Sequence, residues 1–156
     1  MLRTGLCPSL SGKSKLTFEV GCDDAAEIHV RISKNSGSGW FSKDWVALAE
    51  VGVLLKKNGG EPITFSTLLP IFAGRSVNTA GFVLALLKHE GLVRPMANNP
   101  RCYERGDPKP FFEEMERLMG VTSKAATRKA RELAPVKPTK PKTATPGKAK
   151  PATPKR

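Results

Sequence analysis

The last thirty-three residues, Lys124 to Arg156, hold eleven Lys or Arg, one acid (Glu132), six prolines and no aromatic side chain. A segment so poor in apolar surface cannot offset the entropy of ordering, about 1 to 2 kcal/mol per residue, and is expected to stay disordered when free. Any core must therefore come from the first 120 or so residues, enough for one domain of modest size and too few for two. Charge divides in the same way. The tail carries +10 of the net +12, leaving +2 for residues 1 to 123. Cations concentrated at one end of a nearly neutral body point to a polyanionic partner; the plainer alternative is a solubilising extension with no dedicated partner.

Cys7, Cys22 and Cys102 are odd in number and widely spaced, which fits neither a disulfide framework nor paired zinc ligands, so they read as reduced thiols. The opening MLRTGLCPSLSGKSK has no apolar run of secretory length, and no later stretch approaches a membrane span. A cytoplasmic, nucleoid-accessible location is expected, with no membrane partner.

Residues 1–14 read as a flexible N-terminus. Their Gly12-Lys13-Ser14 lacks the upstream glycine and the strand-to-helix context of a phosphate-binding loop. Leu16, Phe18 and Val20, then Ile28, Val30 and Ile32, alternate with polar residues and predict a β-hairpin over 15–33, with His29 facing outward. Lys34 to Gly39 reads as a connector. A first helix is expected from a Ser42 cap, with Phe41 and Val46 as hydrophobic staple and Trp45, Leu48, Ala49, Gly52 and Leu55 as apolar stripe. Pro62 to Thr64 suits a short strand and Phe65 to Phe72 a brief helix disturbed by Pro70. A third helix begins at a Ser76 cap, buries Val77, Ala80, Val83, Leu84 and Leu87, and stops at Gly91. Leu92 to Arg94 and Arg101 to Arg105, around a loop of Pro95 to Pro100, predict a two-stranded wing.

The order helix, short strand, helix, turn, helix, hairpin, with the junction phrase LLKHEGLV (Leu86 to Val93), resembles the winged helix-turn-helix superfamily over residues 42–105. The expected class is accordingly α+β: a winged helix-turn-helix-like domain preceded by a β-hairpin, with a disordered basic tail over 121–156. The resemblance implies that the third helix enters the major groove by its first residues, Arg75, Ser76, Asn78 and Thr79, while Lys88 and the wing's Arg94, Asn98, Asn99 and Arg101 meet the backbone. The chain departs from that pattern where Gly81, Phe82, Ala85 and Leu86 occupy the outward face. Such a face makes no bidentate bonds to bases, and it is expected to be covered by the hairpin or by a second subunit.

Residues 110–119, PFFEEMERLM, place Phe111, Met115, Leu118 and Met119 on one helical side. That helix packs on its own domain (15–120) or forms a homodimer seam, as does the face of Phe82 and Leu86, and the charge pattern alone does not decide. In the tail, Lys124, Arg128, Lys129, Arg131, Lys137, Lys140, Lys142, Lys148, Lys150, Lys155 and Arg156 alternate with Pro and small residues. This resembles the tails of linker histones and bacterial histone-like proteins and suits phosphate tracking without base reading.

Catalysis needs converging polar groups, and none converge along this chain. His29 and His89 stand apart, and Asp23 with Asp24 and Glu113 with Glu114 read as a loop and a solvated helix face. No enzyme activity, metal or cofactor is expected. The leading expectation is a DNA-binding protein of regulatory or nucleoid-associated kind, with RNA left open; the alternative is a protein-interaction module using the apolar face of the third helix.

Overall fold

The computed structural model describes residues 1–120 in full and the backbone of 121–132. The expectations for 133–156, and for the side chains of Lys124, Arg128, Lys129 and Arg131, lie outside the described residues. The fold is α+β. An antiparallel sheet runs in the order β1 (Arg3–Pro8), β2 (Lys15–Cys22), β3 (Ile28–Asn35), β4 (Val46–Ala47).

The expected hairpin is β2 paired with β3, and its alternation holds: Leu16, Phe18, Val20, Ile28, Val30 and Ile32 are buried. The terminus expected to be flexible is instead strand β1, in register with β2 from Arg3↔Val20 to Pro8↔Lys15. Its polarity is inverted, which hides it from any hydrophobic-period test. Leu6 and Pro8 are exposed, while Cys7 is buried and Arg3 and Gly5 are half-buried. Gly5 is there because Phe18 is: a Cβ at residue 5 would lie 2.3 Å from the Phe18 ring.

The first helix does not start at Ser42. Val46 and Ala47 are drawn into the sheet as β4, opposite Val30 and His29, and α1 runs Leu48–Lys57 from an Ala47 N-cap without a side-chain cap bond. The Ser42 hydroxyl turns to the Asp44 carboxylate, and its N–H donates to Thr79 Oγ1 at 2.9 Å. Phe41 meets Phe82 edge-on, with centroids 5.7 Å apart. The buried stripe of α1 is Leu48, Val51 and Leu55. Trp45 lies on the outer sheet face, where Arg31 stacks over its ring at 4.5 Å and pairs with Glu19.

Pro70 has the effect its chemistry dictates. The α-helical α2 covers only Phe65–Leu68, and a 3-10 turn, Leu69–Phe72, takes the proline into its first turn, where a missing N–H is tolerated. Gly74, at φ +76°, reverses the chain into α3 (Val77–His89), capped by Ser76. Gly91, at φ +74°, ends α3, and the N–H of Leu92 returns to the Leu87 carbonyl. In place of the expected wing strands and loop stands a tighter hairpin: β5 (Val93–Met96) and β6 (Asn99–Arg105) close with Met96 opposite Asn99, so most of the expected loop is strand. Ile63 bridges to Tyr103 of β6. Helix α4 spans Lys109–Glu132, passing Gly120 without ending there. One interior glycine costs only about 1 kcal/mol, and the Ala, Lys and Arg residues that follow are strong helix formers.

One continuous core results, with α3 at its centre. Thr79, Ala80 and the run Val83 to Leu87 of α3 are buried against the sheet, the α2 region and β5. The edges of this packing are held by polar clasps. Arg3 pairs with Glu90 at the end of α3 and reaches both carboxylate oxygens of Glu114 in α4 at 3.1 Å.

Two outcomes follow. A Cβ at Gly106 would lie 2.0 Å from the Gly91 carbonyl oxygen, whereas nothing stands within 4 Å of one at Gly52 in α1. Gly106→Ala is expected to lower unfolding stability by about 2 to 3 kcal/mol and Gly52→Ala to raise it by about 0.5 to 1 kcal/mol, measured by urea denaturation. Burial, with the Glu90 carboxylate adding to it, pushes the Cys7 thiol up to about 11 from an ordinary 9.0. The fold thus favours the protonated thiol. Its contribution to stability is present below about pH 9 and lost as pH rises towards about 11. A Cys7→Ala chain should show a shallower alkaline loss in the same denaturation series.

Candidate nucleic-acid interface

The four residues expected at the tip of the third helix do come together, but their side chains are turned to a different task. The Ser76 hydroxyl donates to the Trp40 carbonyl at 2.7 Å and accepts from the Asn78 N–H at 3.3 Å. Asn78 Nδ2 donates to the same carbonyl at 3.0 Å. Thr79, only 2% exposed, accepts from the backbone of Ser42. Arg75 stays exposed, its Nε 3.4 Å from the Asp44 carboxylate. Three of the four thus clamp the segment Trp40 to Ser42 onto the start of α3.

The body of α3 is equally committed. Ala85 and Leu86 are buried, Phe82 is covered by Phe41, and His89 meets Phe18 edge-on at 5.8 Å. The sheet of the first 47 residues is therefore the cover that the apolar outward face required. The seams expected for a homodimer are largely used up inside the chain, since Leu86, Phe111 and Met115 are buried and Leu118 is partly buried against the core. Along its buried stretch, Ala80 and Val83 to Leu87, α3 offers no side chain to a groove.

The remaining candidates sit on or beside the β5–β6 hairpin. Lys88 is exposed, with Nζ 5.8 Å from the centre of the Tyr103 ring. Arg94 is exposed and paired with Glu104 at 2.7 Å. Asn98 and Asn99 form the exposed tip, where Asn99 Oδ1 accepts the Arg101 N–H at 3.1 Å, and the Arg101 side chain faces solvent. This tip and edge offer cations and amides to a phosphate backbone.

Sequence reasoning missed Trp40. It is 72% exposed, the most exposed of the large apolar residues described, and its backbone is held by two side-chain donors. The available signal was a tryptophan at the end of a Gly/Ser-rich connector, with no place in any apolar period. Also unanticipated are a group of Asp23, Glu27 and His29, whose ligand atoms lie within 4.8 Å of one another in the β2–β3 turn, and an apolar groove of about 740 Å³ between α1 and α4 lined by Val53, Leu55, Phe112 and Met119. In the first, the Asp23 carboxylate already accepts the N–H groups of Ala25 and Glu27, which is the work of a turn staple. No helix among the described residues is long and apolar enough to cross a membrane.

Comparison with known protein families, curated proteins and solved structures gives no match.

The clamp has a direct consequence. Thr79→Val removes the acceptor of a buried N–H while keeping volume, and should cost about 1 to 3 kcal/mol of stability in thermal or urea unfolding.

Proposed function

We propose that this chain binds nucleic acid, DNA in the first instance, in a regulatory or nucleoid-associated role, with the cations of 124–156 supplying most of the affinity and the folded body a modest recognition of shape. The observation that carries this reading is the partition of charge, +10 on the last thirty-three residues and +2 on everything before them. Closely spaced lysines displace condensed counterions from phosphates, a driving force that needs no base contact.

The succession of α1, the Ile63 bridge, the α2 region, α3 and the β5–β6 hairpin supports a winged-helix-like reading of the body. In this reading the wing, through Arg101, Asn98 and the neighbouring Lys88, aligns the backbone of the duplex. Helix α3 serves as the core on which the wing and the Trp40 segment are mounted, and base-edge reading by Ser76, Asn78 and Thr79 is given up. The burial of Leu86 counts against the interaction-module alternative on the face of Phe82 and Leu86.

A salt titration of duplex affinity tests the proposal. If about six cations displace counterions, log K against log salt should have a slope near −5. Replacing Lys137, Lys140, Lys142, Lys148, Lys150 and Lys155 by Gln in the full chain should abolish most of that slope and most of the affinity. Absence of any gel retardation by the unaltered protein in dilute buffer would overturn the reading.

A further inference from the structure

The segment Gly39 to Ser42 has an unusual combination of properties. Its backbone is fixed: Gly39 takes φ +116°, the Trp40 carbonyl accepts from Ser76 and Asn78, Phe41 is wedged against Phe82, and the buried Ser42 donates to Thr79. Yet the indole that this scaffolding carries is 72% exposed. Ordering a chain around a side chain that adds almost nothing to the core is costly for folding, and a large solvent-facing aromatic on a rigid support is what a planar partner requires.

We infer that Trp40 is a stacking platform for an unpaired nucleobase, so that the favoured substrate is DNA with single-stranded or locally opened character. The inference rests on the nucleic-acid reading above and deepens it. Charge complementarity brings the polyanion to the chain, because the same molecule carries the cationic segment 124–156. Arg75, which precedes the clamp residue Ser76 and pairs with Asp44, and Lys43, three residues after Trp40, are exposed cations on the two segments that the clamp joins. Enclosure of α3 then decides which bases can be met. Ala85 and Leu86 are interior and cannot approach base edges in a groove, whereas a base swung out of its stack needs only an open aromatic face.

The test uses the full chain with two labelled probes of the same length, an oligothymidylate of about fifteen nucleotides and a mixed-sequence duplex, by fluorescence anisotropy. Trp40→Ala should weaken oligothymidylate binding about tenfold and duplex binding by less than about twofold, and Trp40→Phe should recover most of the loss, since a phenyl ring still stacks. In a Trp45→Phe chain the remaining indole is Trp40, and its emission should be quenched by the single strand and not by the duplex, a readout independent of any truncation at residue 40. If both probes bind but Trp40→Ala leaves the single-strand affinity unchanged, or the emission is unaffected, the platform is refuted and the electrostatic reading stands. If neither probe binds in dilute buffer, both fall.

Discussion

The sheet built by the first 47 residues covers the side of α3 that would otherwise face solvent, and the contact is closed at one end by Arg3, whose guanidinium joins Glu90 of α3 and Glu114 of α4. The Glu90 side chain is only 8% exposed, so its charge is tolerable only with that partner in place. Removing Arg3 leaves that charge uncompensated, a defect that replacing both avoids. The clasp therefore does more than add an ion pair. It makes the strand, the central helix and the last helix mutually dependent, and it turns what resembles an exposed recognition helix into the middle of a core.

How much of this was legible follows from which residues announce themselves. Strands β2 and β3 were plain, because Leu16, Phe18, Val20, Ile28, Val30 and Ile32 keep a strict period of two. Helix α3, its Ser76 cap and its Gly91 stop were plain as well, since capping chemistry is local. Strand β1 was illegible because its inward residues are Arg3, Gly5 and Cys7, each placed for a tertiary reason: an ion pair, room for a ring, a small thiol. Ser42 misled for a related reason. A serine before an apolar run reads as a cap, but Val46 and Ala47 gain more from pairing with β3, and the hydroxyl is left to a turn.

The candidate site was half legible. Arg75, Ser76, Asn78 and Thr79 were singled out as a group by their place at the head of a helix, and they do act as a group, with three of them directed inward onto Trp40 and Ser42. No sequence period distinguishes a polar residue that contacts a ligand from one that holds a neighbouring loop. The difference lies in residues 36 to 38 positions earlier in the chain. In the proposed reading the two tasks divide accordingly: attraction belongs to the lysine- and proline-rich stretch after residue 123, and discrimination to what the folded body leaves uncovered, chiefly Trp40 and the β5–β6 hairpin.

The Arg3 clasp also bears on the order in which the protein can be completed during synthesis. Arg3 and Glu114 are 111 residues apart, so β1 waits for nearly the whole described body before the charge of Arg3 is fully matched. Hairpins β1–β2 and β2–β3 are both local pairings, and what must wait for α4 is the Glu114 half of the Arg3 clasp.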